Sequence, residues 1–232
     1  MLQAFQDRIL KHLLPEFCND SSRSWTADGF KADWQKITEL DAADFLRGID
    51  GGVIRHKGRG LYRAHLSYAS EQFFWSGLRR KNPRPIYLWA EPIITIAVLA
   101  RLHFDLDWPS ELIGTQTKKV WAFDVATYWP QKPDVEYIVC EVKKSPKELN
   151  LLVDLMNKFG ADPHANQIAR KEQNAYRKVK ALRSSRPPLF WAVGPGGTSF
   201  AFRMGYLENG VISFQQIATQ ELRYPPTGEC GD

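Results

Sequence analysis

Leu2, Phe5, Ile9 and Leu13 recur three or four positions apart among charged residues, and this spacing predicts an amphipathic helix over Leu2–Leu14. A moderately helical middle, Trp34–Arg47, follows between the polar stretch CNDSSRS and the glycine-rich GIDGG. Ser67–Arg80 predicts a further helix, stopped by the breaker KNPRP. We place a soft domain boundary there, which makes 1–84 a mostly helical, basic N-terminal region and 85–232 the core. Ile86–Phe104 has helical composition, and Pro92 is allowed in it if the helix starts within a turn before that proline.

Beyond this point the period changes from 3.6 to two. A short strand is predicted near Glu111–Gln116. Val120–Trp129 and Val135–Lys143 read as adjacent hairpin strands joined through WPQKPD. Helices over Pro146–Phe159 and Ala165–Ser184 come next, then a strand, Pro188–Val193. A terminal hairpin, Ser199–Leu207 with Val211–Ile217, turns around Glu208, Asn209 and Gly210, where Asn-Gly is the strongest short turn signal. The order helix, three strands, helix, strand predicts an α/β fold whose mixed central sheet is flanked by helices on both faces.

The 232 residues are 44% apolar and 25% charged, enough to bury a large core and incompatible with wholesale disorder. The longest apolar stretch, Ile86–Phe104, is interrupted by Glu91, Pro92 and Arg101, so no bilayer span is expected. The N-terminus lacks the layout of a secretion signal, and the three cysteines form no CxxC pair, so a reducing cytoplasm is the expected location.

The net charge of +5 is unevenly placed. From Arg55 to Arg84 eight basic residues face Glu71 alone, a net of +7; from Ala165 to Pro187 seven face Glu172 alone, a net of +6. The remaining chain is therefore acidic, and the polarity predicts a polyanion partner such as nucleic acid. Candidate phosphate contacts are Arg55, Lys57, Arg59, Arg79 and Arg80 in the first run. In the second they are Arg170, Gln173, Arg177 and Lys180, which recur along one helical stripe opposite Ile168, Ala175, Val179 and Leu182. A solvated face remains the ordinary reading of any single basic run. Gly51, Gly52, Gly58 and Gly60 surround IRHK, which lacks the GK[ST] ending of a phosphate loop and reads as a mobile turn or arm.

Candidate chemistry lies in the first hairpin. Period-two alternation puts Glu141 and Lys143 on one face of their strand and Cys140 and Val142 on the other. Asp124 stands isolated within VWAFDVATYW on the preceding strand. Charges in apolar strands are costly unless they pair or bind a metal. Two carboxylates from neighbouring strands offer hard oxygen ligands to Mg²⁺, which takes few protein ligands and suits a phosphate-bearing substrate. The competing interpretation is a buried ion-pair network of Asp124, Glu141 and Lys143, itself an expensive core. Glu91 is either a third acid or an N-terminal carboxylate favoured by the helix dipole, and Glu71 is a reserve acid.

This pattern resembles the PD-(D/E)xK nuclease superfamily, whose core runs helix, three strands, helix, strand. In the resemblance Asp124 matches the first acid, Glu141-Val142-Lys143 the (D/E)xK tripeptide, and Glu91 the acid supplied by the preceding helix. Phe123 stands where the motif nominally has proline, and no QxxxY is present, since Gln173 and Tyr176 are three apart. The resemblance covers about Ile86–Val193 and implies a restriction-endonuclease-like fold and a Mg²⁺-dependent DNA endonuclease, with Mn²⁺ able to substitute. It implies that Asp124 and Glu141 hold the metal with the Val142 carbonyl, that Glu91 completes a second position, and that Lys143 orients the attacking water. Cutting both strands would call for a homodimer. Two alternatives are a non-catalytic nucleic-acid-binding protein with a nuclease-like core, and a protein-interaction factor presenting Trp25, Trp34 and Trp75.

Overall fold

The computed structural model describes residues 1–19, 25–77, 80–116 and 122–225. The chain is a mixed α/β protein. The amphipathic start is helical through α1 (Leu2–Asp7), a π-helical stretch (Arg8–Leu13) and α2 (Leu14–Cys18), with Phe5, Ile9, Leu13 and Phe17 buried. After the two-residue strand β1 (Lys31–Ala32) comes α3 (Glu39–Asp50), where Thr38 accepts the Asp41 amide as N-cap. The N-terminal region is less helical than expected, because five short strands occupy it: β1, β2 (Arg55–His56), β3 (Leu61–Arg63), β4 (Glu71–Gln72) and β5 (Trp75–Ser76).

Two expectations fail here for one reason. IRHK is no mobile arm: Arg55 and His56 pair with Arg63 and Tyr62. Ser67–Arg80 is no helix: its described residues form turns and β4 and β5. Phe73 and Phe74 supply apolar bulk that sequence periodicity assigns to a helix face, yet they pack under the small sheet, with Phe73 stacked on Tyr62 at 4.8 Å. Tertiary burial decides between two local structures compatible with the same apolar spacing.

β6 (Ile86–Leu88) pairs with β1 and β5, and α4 (Ala90–Phe104) begins only after it, which shortens the expected helix and leaves Pro92 in its first turn. α4 is apolar on all sides from Ile93 to Ala100 and is correspondingly buried throughout that stretch, as the core rod of the molecule. α3 packs along it, with Gly48 so close to Ile96 that a Cβ would lie 3.1 Å from the Ile96 side chain. Arg101 ties the two helices: it donates to Asp44 at 2.6 Å and to Asp41 at 2.8 Å, all three being buried. The second Asp41 oxygen accepts the Gly196 amide from the turn after the sheet's fourth strand.

The central sheet has six strands in the order β12-β11-β10-β9-β8-β7: β7 (Ile113–Thr115), β8 (Val125–Trp129), β9 (Lys132–Val142), β10 (Leu189–Val193), β11 (Ser199–Tyr206) and β12 (Ile212–Ile217). All neighbours are antiparallel except β9 and β10, which are parallel and need a crossover. That crossover is α5 (Pro146–Ala161) and α6 (Gln173–Ser185). One face of the sheet, including Val125, Ile138, Cys140, Val142 and Trp191, shares a core with α4 and the N-terminal elements. The other, including Ala126, Val139, Phe190 and Ala192, packs on Leu149 and Leu152 of α5 and Val179 and Leu182 of α6. The layering of helices on both faces is therefore as expected.

Boundaries differ in instructive ways. β9 starts at Lys132 because Trp129 pairs directly with Lys132 around Pro130 and Gln131, so the hairpin turn is tighter than WPQKPD suggests. β8 starts at Val125, leaving Asp124 in the bend before it and not inside a strand; Val120 and Trp121 lie outside the described residues. α6 starts at Gln173 after a 3-10 turn at Arg170–Glu172, so 165–169 is not helical. Ser145 caps α5 by accepting the Glu148 amide, with Pro146 at the first helical position, and so ends the chain's path from β9 abruptly after Lys143 and Lys144.

Candidate active site

The period of two along β9 does what the sequence implied: Glu141 and Lys143 share a face, with the Lys143 Nζ donating to Glu141 Oε1 at 2.6 Å. Glu141 is 2% exposed. Its other oxygen accepts from Lys178 Nζ of α6 at 2.5 Å, and this ammonium also donates to the Ala122 carbonyl and lies over the Phe123 ring. Lys178 was not among the expected site residues. A signal for it exists: at one, three and four positions from Val179, Ala175 and Leu182, it is a lysine set in the apolar stripe of α6.

Asp124 faces Glu141 across the β8–β9 ladder, one step beyond the pair Val125 and Cys140. Its amide donates to the Cys140 carbonyl at 3.0 Å, and its Oδ2 accepts the Val142 amide at 2.8 Å. Burial, then the neighbouring Glu141 charge, push the Asp124 carboxyl up to about 7, against the opposing pull of Lys178, Lys143 and the Val142 amide. Burial works to lower Lys143, but Glu141 and Asp124 outweigh it and hold the ammonium above its ordinary range. Glu91, in the first turn of α4, is raised by burial, an effect that Lys143 and Lys144 partly offset. The structure thus brings Asp124, Glu141 and Lys143 together and sets Glu91 within their electrostatic reach.

Asp124 and Glu91 line a cleft of about 190 Å³ with Tyr62, Glu71, Trp75, Trp89 and Gln116. Glu71, the reserve acid, accepts from Gln116, and its carboxyl is raised by burial. Gln116 itself has a left-handed backbone (φ 59°), a conformation costly for a residue with a Cβ and concentrated at functional sites. Lys143 borders a second, more open hollow with Glu148 and Lys171. No family model, curated protein or solved structure matches this chain. Among the described residues, no group of three or more His, Cys, Asp or Glu side chains is gathered as a metal centre. Two carboxylates at one ladder position are what is present.

The basic candidates fall into two groups. Arg55, Lys57 and Arg59 are exposed on the β2–β3 hairpin, whose partner strands carry the cleft residues Tyr62 and Glu71. Arg80 is exposed in the β5–β6 loop, and Arg79 lies outside the described residues. Arg170, Gln173, Arg177 and Lys180 are exposed on or before α6, whereas the residue of α6 that reaches the acids is the buried Lys178. Gln173 thus stays on the solvent side of α6, away from Asp124 and Glu141. Of the three tryptophans considered for a protein interface, Trp25 stacks on Phe17 at 4.0 Å and Trp34 packs edge-on to Phe5, leaving Trp75 exposed. No helix among the described residues is long and apolar enough to cross a membrane.

Proposed function

We propose that this chain is a Mg²⁺-dependent nuclease with a restriction-endonuclease-like core that hydrolyses phosphodiester bonds in DNA. The observation that carries the reading is that Asp124 faces Glu141 across the β8–β9 hairpin, with Lys143 bound to Glu141 and Asp124 lining a cleft. The donor set fits Mg²⁺, which is held by one or two carboxylates and keeps much of its water. The fit has an electrostatic basis too: desolvation and then the adjacent Glu141 raise the partly buried Asp124 carboxyl to about 7 even with Lys178 and Lys143 nearby, a penalty on its charged form that a bound cation would offset. Asp124 and Glu141 would hold the ion, with Glu91 across the cleft. When bound, Mg²⁺ supplies Lewis-acid polarisation of a phosphate oxygen and neutralises developing charge.

The protein's own groups do the rest. Lys143, kept protonated by Glu141, cannot serve as a base; its N–H groups orient the attacking water and stabilise negative charge on the phosphoryl oxygens. Lys178 fixes the Glu141 rotamer from the opposite side. The exposed cations of the β2–β3 hairpin stand on a sheet that forms one wall of the cleft and would grip the backbone.

A second reading is favoured by one observation: both Glu141 oxygens already carry lysine partners. A nucleic-acid-binding protein with this ion-pair network and no cleavage would look the same. Incubation of labelled DNA with Mg²⁺ or Mn²⁺ separates the two. We expect cleavage by the parent and at least a 100-fold loss in Asp124→Ala and Lys143→Ala, as for removal of a single transition-state donor (roughly 10²–10³). Variants that cut like the parent would show the assignment to be wrong, and DNA binding without cleavage under any divalent ion would establish the second reading.

A further inference from the structure

Trp75 and Trp89 are each 43% exposed, and their rings lie nearly parallel, 16° apart with centroids 5.4 Å apart. The pairing is dictated by the small sheet. Trp75 pairs with Tyr87 across the β5–β6 ladder, so Trp89, two residues beyond Tyr87, sits diagonally on the same face, within reach of an aromatic partner. Two half-exposed indoles held flat against each other are an unusual use of apolar surface, because burying them would be the stabilising choice. Their position suggests a reason. Both line the cleft that Asp124 and Glu91 line, and Trp89 is only two residues from Glu91 at the start of α4. The loop between β5 and β6 carries exposed Arg80 and Lys81 on the same ribbon.

We propose that Trp75 and Trp89 form a stacking platform for an unpaired nucleobase, and hence that the substrate is DNA with a single-stranded or splayed segment at the cut, in preference to fully paired duplex. The aromatic faces accept any base, since every base has a π-face, while the adjacent cations neutralise the flanking phosphates. A base seated there lies in the same cleft as Asp124. The naming of a cut strand rests on the nuclease reading above; the binding of an unpaired base does not.

The test uses the full chain in EDTA, with fluorescein-labelled oligo-dT, an abasic oligomer of equal length, and a blunt duplex. Oligo-dT should quench indole fluorescence and the abasic oligomer should not. Trp75→Ala and Trp89→Ala should each weaken oligo-dT binding roughly tenfold, the scale of one lost base–aromatic stack, with duplex affinity unchanged and Trp89→Phe restoring most of the loss. Circular dichroism checks that these surface variants fold. Parent-like affinity of both alanine variants for oligo-dT, or an equal loss on the duplex, would overturn the platform. So would concentration-dependent self-association lost in the alanine variants without quenching by oligo-dT, because the indoles would then be a contact between copies. Tryptophan-dependent binding by a protein that cuts nothing would remove the nuclease reading and leave the platform standing; cleavage indifferent to both tryptophans would do the reverse.

Discussion

Asp124→Asn should make the metal-free protein more stable while abolishing the proposed Mg²⁺-dependent cleavage. The substitution keeps shape, and the asparagine oxygen can still accept the Val142 amide that Asp124 accepts at 2.8 Å. What it removes is a charge that folding disfavours. The carboxyl titrates near 3.8 when unfolded and at about 7 when folded, chiefly through burial and then Glu141. A raised acid pKa means that the native state holds a proton the unfolded chain releases, so stability falls as pH rises from about 4 to about 7 and is flat above. At ~1.4 kcal/mol per pH unit over that interval, the cost at pH 8 has a ceiling of ~4 kcal/mol. Relaxation and water around a side chain that is only partly buried should leave about half. For a chain of this size ~2 kcal/mol corresponds to a rise of roughly 4–8 °C in the unfolding midpoint of the variant. Differential scanning fluorimetry in EDTA from pH 4 to pH 8 measures this directly, and the gap between variant and parent should close towards pH 4. Added Mg²⁺ should stabilise the parent and leave the variant unmoved, because mass action acts only on a state that binds. A variant less stable than the parent at pH 8 in EDTA, or a gap independent of pH, would refute the electrostatic account.

Lys178→Met should destabilise the protein by about 3 kcal/mol in a urea melt, since it strips a partner from buried Glu141, and it should lower cleavage without altering the salt dependence of DNA binding. Arg101→Met should cost about 3 kcal/mol, because buried Asp41 would lose its cationic partner and Asp44 would keep Arg47 alone; a loss below 1 kcal/mol would mean that the clamp is inert.

The arrangement of the hairpin was legible because alternation needs nothing beyond the strand itself: Glu141 and Lys143 two apart, and Asp124 just ahead of the preceding strand, are local facts that topology only brings together. The terminal hairpin at Asn209-Gly210 and the burial of α4 were legible for the same reason. Lys178 was harder to find, since its role depends on which side of α6 meets the sheet, whereas the exposed stripe of Gln173, Arg177 and Lys180 can be read from spacing alone. The aromatic pair was out of reach, because Trp75 and Trp89 are fourteen positions apart and meet only through the β5–β6 ladder. The segment around Phe73 misled for a physical reason: bulky apolar spacing records burial, and burial was achieved by a small sheet where a helix was expected.

The rod α4 carries Trp89 and Glu91 at one end and the Arg101 clamp ten residues further on, a separation of about 15 Å at 1.5 Å per residue. Because α4 is one continuous helix, the Arg101 tie to α3 and the Glu91 wall of the cleft belong to a single element, so any effect of loosening the tie at Asp41 or Asp44 should register at the cleft mouth as well as in the melting curve.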